Sequence, residues 1–350
     1  MRHIASKRLI SRPTIRDLAS AAGVSVATVN RVLSGVAGVR EPTREAVRAA
    51  AEAIDFYGVG AIQSRNAAAR QRFRFGVLLL QPHRPFYQLL AEALRSAAAN
   101  VDADVDIKVE HLEDLSPENT ASRALALAQT CQAICITTAV HPTVTHALET
   151  IQSTGVPVFG LISQLSATGQ FPYIGLDDWK VGRTAAWAFA NVCHAPGKLG
   201  ILMGNHRYRN QEMNESGFRS YFREHAPEFV LLEPLSTFES SAIAHEMTER
   251  LLREHPDISG LYVSGGGITG VMAAVRASGW AGKLVVVGYE LMDVTRAALL
   301  DGTLTLVIAH PLRRLAAATV DSMIRAVKGS ADPSSYTSVV PFEIFTKENI

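Results

Sequence analysis

The amino-acid sequence predicts an all-α head carrying a helix-turn-helix, followed by an α/β body of two lobes, each built on a doubly wound parallel sheet. Three observations lead there. The 350 residues, 47% apolar and 19% charged, are too many for one compact core and too hydrophobic for a disordered chain. The net charge of +1 conceals a split, since residues 1–74 hold 13 Lys+Arg against 5 Asp+Glu, giving +8 and leaving −7 for the rest. From residue 75 onward, apolar strands alternate with amphipathic helices, which is the pattern of βαβ units.

The head begins at TIRDLASAAG, residues 14–23. Thr14 and Asp17 have capping-box spacing, and Ile15, Leu18, Ala19 and Ala22 make an apolar face. Gly23 suits a turn, Ser25 caps a second short helix with Val29, Val32 and Leu33 inward, and a third helix starts near Pro42 and Thr43. Helix, glycine turn and helix make the arrangement whose second helix enters the DNA major groove by its N-terminal end. That places Val26, Ala27, Asn30 and Arg31 at the groove, with Arg31 able to bond two guanine acceptors at once. Thr14, Ser25, Thr28, Thr43 and Arg44 sit at caps and first turns, where hydroxyls and a cation grip phosphates. The plainer alternative is a three-helix bundle with a basic surface.

These residues resemble the lactose/galactose repressor (LacI/GalR) family. The resemblance runs without a gap over 14–56, including GVSVATVNRVLSG at 23–35 and REPTREAVRAAAEAIDF at 40–56. It implies a dimeric repressor on a near-palindromic operator, with Val26, Ala27 and Arg31 as base contacts and Thr14, Ser25, Thr28, Ser34 and Thr43 as phosphate contacts. The junction YGVGAIQSRNAAARQRFR, 57–74, departs from the family: Gly58 stands where Pro is usual, and Arg65 stands near a position where a Leu wedges into the minor groove. Arg65 is therefore expected to reach the minor groove by charge. A passive interdomain linker is the alternative.

In the body, FGVLLL (75–80), DVDIKV (104–109), AICIT (133–137), PVFGL (157–161), KLGILM (198–203), FVLLEPL (229–235), GLYVS (260–264) and KLVVVG (283–288) read as strands. About eight of them fit two lobes better than one. One motif points elsewhere: GGGITG at 265–270 satisfies G-x-G-x-x-G, follows a strand, and has Glu290 twenty residues beyond its last glycine. On spacing alone, an NAD-dependent oxidoreductase is the rival reading. At least six strand-helix alternations precede the motif, however, which is late for a fingerprint that normally marks the first βα turn.

Residues 75–346 also resemble the type I periplasmic sugar-binding fold that forms the sensor of LacI-family repressors, closest to its ribose-binding branch. RPFYQLLAEAL (84–94), GVPVFGL (155–161), ESGFRSYF (215–222) and LVVVGYE (284–290) carry the likeness. It implies two periplasmic-binding-protein-like lobes joined by three crossovers, near 175–177, near 310–311 and near 339, with ligand in the cleft. Position by position, it brings Arg84, Phe86, Tyr87, Ile162, Ser163, Asp177, Glu212, Phe238, Gly265, Glu290 and His310 to that cleft. The chain departs from the family's pattern at Ile162-Ser163, where an Asp-Arg pair is usual, at Glu212 (Arg) and at Gly265-Gly266 (Asn-Asp). A neutral polyol, a cyclitol or a cationic compound then suits the cleft better than a free carboxylate.

The expected organisation is a DNA-binding domain at 1–57, a hinge or linker at 58–74 and a sensor at 75–350. Lobe one takes about 75–176 and 311–339, and lobe two about 177–310 and 340–350. The three cysteines lack metal-ligand spacing, and no nucleophile-base constellation is visible, so no cofactor, no metal and no enzymatic activity are expected. Without an apolar run long enough to span a bilayer or an apolar segment after the basic N-terminus, the chain is expected to be cytoplasmic. The function expected is sequence-specific transcriptional regulation, as a repressor: a homodimer whose operator affinity is set by a small polar effector of the sugar, polyol or cyclitol class. A solute-binding protein for transport is the other rival.

Overall fold

The computed structural model of the protein describes residues 13–34, 39–56, 71–166, 171–329 and 333–350. The chain divides near residue 72 into two compact units. In the head, α1 (Ile15–Ala21), α2 (Val26–Ser34) and α3 (Glu41–Ala53) follow in order. Helix α1 starts where it does because Thr14 and Asp17 cap each other: the Thr14 N–H donates to the Asp17 carboxylate at 2.8 Å and the Asp17 N–H to the Thr14 hydroxyl at 3.3 Å. Gly23, at φ +66°, then reverses the chain in a conformation that would strain any residue with a Cβ. The Ser25 hydroxyl accepts from the Thr28 N–H at 3.1 Å and opens α2. Leu18, Ala19, Val29, Val32, Val47, Ala50, Ala51 and Phe56 close the small core.

The body begins with β1 (Arg72–Leu80), α4 (Pro85–Asn100), β2 (Asp104–Leu112), α5 (Pro117–Ala128), β3 (Ala133–Ile136), α6 (Pro142–Ser153), β4 (Val158–Leu161) and β5 (Tyr173–Gly175). It continues with α7 (Asp178–Val192), β6 (Lys198–Met203), α8 (Arg209–His225), β7 (Val230–Leu231), β8 (Leu235–Ser236), α9 (Ser241–Glu254), β9 (Ile258–Val263), α10 (Ile268–Ala277), β10 (Val285–Tyr289), α11 (Asp293–Leu300) and β11 (Leu306–Ala309). Last come α12 (Leu312–Lys328), a short 3₁₀ turn, β12 (Ser338–Val339) and β13 (Glu343–Phe345). One sheet has the order β12-β5-β4-β3-β1-β2 and the other β13-β11-β10-β9-β6-β7, with β8 also on β6. Apart from the antiparallel β11–β13 pair, the pairings described are parallel. The chain passes between the sheets after β5, after β11 and after β12, so three strands of backbone join two lobes.

Two elements differ from the sequence reading. Strand β1 starts at Arg72, inside the stretch expected to be linker, because Phe73 and Phe75 are fully buried with ring centroids 5.6 Å apart while Arg72 and Arg74 face out. FVLLEPL is two short strands rather than one, since Pro234 between them has no N–H to give a ladder. The expected eight strands leave out β5, β11, β12 and β13, whose runs are only two to four residues long. Position 65 and the rest of 57–70 lie outside the described residues.

Candidate functional site

On the head, Val29 and Val32 are buried, which turns Val26 (41% exposed), Ala27, Asn30 and Arg31 together onto the outer face of α2. Among the described residues, Arg31 has no ion-pair partner, so its guanidinium is available to base edges. The Thr14 and Ser25 hydroxyls are exposed but already serve as caps, and Thr28 lies 2.9 Å from Ser25 Oγ. Ser34 bonds back to the Asn30 carbonyl, and Thr43 is half-buried in the first turn of α3. Arg44 Nε and Nη2 both donate to the Val39 carbonyl, at 3.1 and 3.0 Å, so part of its guanidinium clamps the approach to α3. Arg65 lies outside the described residues.

In the body, a cavity of about 560 Å³ opens between the lobes at the carboxyl ends of the parallel strands, where α/β sheets of this kind hold ligands. Gln81 follows β1, and Arg84, Phe86 and Tyr87 come from the start of α4. Asp178 is the first residue of α7, and Asn210, Gln211 and Asn214 lie on α8. Phe238 and Glu239 precede α9, Ser264 to Gly267 precede α10, Glu290 follows β10, and His310 follows β11.

Two ion pairs organise the cleft. Arg84 of lobe one pairs with Glu239 of lobe two, and the field of Glu239 outweighs burial to hold the Arg84 guanidinium above its ordinary range. His310 Nδ1 lies 2.5 Å from Glu290, whose other oxygen accepts the His310 backbone N–H at 2.8 Å. Burial opposes the imidazolium, but Glu290, with help from Asp178, raises its pKa overall. Asp178 is pushed up to about 7, chiefly because it is buried, although His310 and the Tyr173 hydroxyl at 3.1 Å favour its charged form. The Phe86 ring sits 5.7 Å from the His310 ring.

Five buried polar side-chain atoms lining this cavity have no partner among the described residues: Gln81 Oε1, Asn210 Oδ1, Asn214 Oδ1, Ser264 Oγ and His310 Nε2. Buried polar groups are ordinarily bonded, so orphans gathered on one cavity are groups that a polar ligand can bond. Three of the five are amide oxygens and call for O–H or N–H donors.

Of the residues carried to the cleft by resemblance, Arg84, Phe86, Tyr87, Ile162, Phe238, Gly265, Glu290 and His310 line the cavity. Ser163, Asp177 and Glu212 do not. Asp177 turns back to cap α7 through the Lys180 N–H at 3.1 Å, and its neighbour Asp178 faces the cavity in its place. Glu212 pairs with Arg209 on the outer side of α8, while Gln211 and Asn214, three residues apart, share the inner face. Ser163 is fully buried and follows Ile162, whose φ is +66°. The missed residues carried a legible signal: Gln211, Asn214 and Phe218 form a helical stripe of buried positions, in which two amides are out of place unless something bonds them.

The dinucleotide reading of GGGITG is overturned by what its glycines do. Gly267, at φ +99°, caps α10, Gly270 lets α10 meet the Ser241 carbonyl of α9, and a Cβ on Gly266 would overlap the Glu239 carboxylate and the Arg84 guanidinium. A carboxylate already sits against the loop where a pyrophosphate would lie. Among the described residues, no group of three or more His, Cys, Asp or Glu side chains is placed to hold a metal, and no helix is long and apolar enough to cross a membrane.

Comparison with known proteins finds a family match in each of the two units. The family model for a periplasmic binding protein domain matches residues 75–331, and that for bacterial regulatory proteins of the lacI family matches 14–58. The D-apiose import binding protein of Paraburkholderia graminis is 21% identical across 86% of this chain and 94% of its own. The ribose operon repressor of Halalkalibacterium halodurans is 22% identical across 96% of both chains. The crystal structure of a periplasmic solute-binding protein from Actinobacillus succinogenes with bound D-allose shares the fold at a TM-score of 0.71 and 21% identity, over 79% of this chain and 98% of that one.

Proposed function

The chain belongs to the lacI family of bacterial regulatory proteins with a periplasmic-binding-protein sensor, and we propose that it is a cytoplasmic transcriptional repressor whose operator affinity is set by a small uncharged polyhydroxyl effector in the cleft. The observation that carries the effector reading is the set of five orphan polar atoms around a cavity of about 560 Å³. A sugar, polyol or cyclitol supplies the O–H donors those amide oxygens lack, and its apolar ring face packs on Phe86 and Phe238. The names of the relatives support it, since one is a ribose operon repressor and another a D-apiose import binding protein.

On the head, Val26, Ala27, Asn30 and Arg31 would face base edges, while Thr14, Ser25, Thr28, Ser34 and Thr43 line the flanks where phosphates pass. One head contacts too little DNA for tight specific binding, so the active species would be a homodimer on a near-palindromic site. The protein would act by binding alone, with no cofactor and no catalysis. A solute-binding role in transport leaves the helix-turn-helix without a purpose.

Selection of binding sites from a random DNA library by the full-length chain tests the regulatory half of this reading. A two-fold symmetric motif is expected, with affinity falling steeply as salt rises. Failure to enrich any motif would contradict it.

A further inference from the structure

Glu239 is held from both lobes. It lies between β8 and α9 at a φ of +61°, which residues with a Cβ seldom adopt, and its side chain is only 6% exposed. One carboxylate oxygen accepts from Gln211 Nε2 at 2.8 Å and from the Gly266 N–H at 3.4 Å, and the other accepts from Arg84 across the cleft. The loop after β9 makes room for this bridge. A Cβ at Gly266 would overlap both charged groups, and a Cβ at Gly265 would strike Gln211.

The remaining charges of the cleft are also spoken for. His310 and Glu290 neutralise each other, Asp178, bonded to the uncharged Tyr173 hydroxyl, is held toward its neutral form by burial, and His83 is exposed, 3.9 Å from Glu113. Among the described residues, an acidic ligand would find no free cation and taking Arg84 or His310 would strand a buried carboxylate, while an amine would have to strand Arg84 or ionise Asp178 against its burial, which is unfavourable. A hydroxyl both donates and accepts. Two adjacent hydroxyls can therefore bond Arg84 and Glu239 together without separating them.

We infer that the Arg84–Glu239 bridge, seated by Gln211 and Gly266, is a charge filter that selects an uncharged ligand with adjacent hydroxyls and rejects the acidic and amino counterparts of the same ring. This rests on the sugar-sensor reading above. Glu239 and Arg84 would read the ligand directly, and Gly266 would act by leaving space for them.

Thermal melting and calorimetric titration of the full-length chain test it, with matched sets of neutral aldoses, uronic acids and amino sugars, and separately with millimolar inorganic phosphate as a probe of Arg84 alone. For the wild type, a neutral aldose should bind at least 100-fold tighter than its charged counterparts, and phosphate should leave the Tm unchanged. Glu239→Gln, which uncovers Arg84, should bind the uronic acid at least tenfold tighter than the wild type does and should gain a phosphate-dependent rise in Tm. The double variant Arg84→Met/Glu239→Gln should lose both gains. If Glu239→Gln does not fold, Arg84→Gln should instead gain at least tenfold toward the amino sugar.

A wild-type chain that takes an acid or an amine within tenfold of the neutral sugar overturns the filter and leaves the sugar reading standing. So does absence of the gains in the variant that folds. A wild type that binds no neutral sugar, while Glu239→Gln gains the phosphate response, contradicts the sugar reading and upholds the charge pairing.

Discussion

Arg31 and Asp178 show how single side chains carry the two halves of the account. Arg31 stands exposed on α2 without an ion-pair partner among the described residues, on the face opposite Val29 and Val32. Replacing it by Ala removes no packing, so head stability should stay within about 0.5 kcal/mol. Operator binding should weaken by about 1–3 kcal/mol with relaxed preference at one guanine per half-site, as read by anisotropy on single-base variants of the selected site. Asp178 governs pH dependence. Its folded pKa of about 7 lies above the ordinary 3.8, so between those values the native state holds a proton that the unfolded chain has released, and stability falls as pH rises. His310, also raised, adds stability that is complete below its ordinary 6.5 and is lost as pH rises through its folded value. Both act in one direction. The melting temperature should therefore drop from pH 5 to pH 8, and Asp178→Asn should flatten that slope; a slope of opposite sign, or one unaltered in the variant, would show that Asp178 does not titrate as described.

At the scale of elements, the cleft depends on how closely α7 and α8 approach. Gly182 on α7 faces the Asn214 carbonyl and Gly217 on α8 faces the Trp179 carbonyl, each too tightly for a Cβ. These two glycines let α8 settle low enough to bring Gln211 and Asn214 to the cavity. Gly182→Ala should cost about 1–3 kcal/mol by overpacking, seen in chemical denaturation, and should weaken effector binding although residue 182 does not line the cavity. Unchanged binding at lowered stability would separate the helix contact from the site. The elements themselves were largely legible: the Thr14 capping box, the Gly23 turn and the long apolar strands depend on local residue chemistry that sequence displays. What escaped was set by context. Strands of two to four residues, such as β5 and β12, are held by neighbours rather than by their own pattern. Likewise, whether Asp177 or Asp178, or Glu212 or Gln211, faces the cleft depends on a helix's rotation, and alignment to a family fixes that only to within a residue.

For the whole molecule, the division of charge into a basic N-terminal segment and an acidic remainder matches a division of labour between polyanion binding and effector sensing. The three passages of chain between the sheets permit the lobes to move against each other, and the Arg84–Glu239 pair joins one lobe to the other, so such motion would separate or realign it. The proposed homodimer should appear as a stable species by light scattering at micromolar concentration, and a monomer there would remove the basis for a two-fold site. Coupling between cleft and operator is the central claim, and it requires that the effector bind the two states of the protein with different affinity. The direct measurement is operator affinity of the full-length chain at fixed salt, with and without a saturating concentration of the neutral sugar that most raises its melting temperature. A change of at least fivefold is expected, about 1 kcal/mol or more of coupling, with sugar affinity changed by the same factor when operator is present. A sugar that occupies the cleft yet leaves operator affinity within twofold would contradict the account.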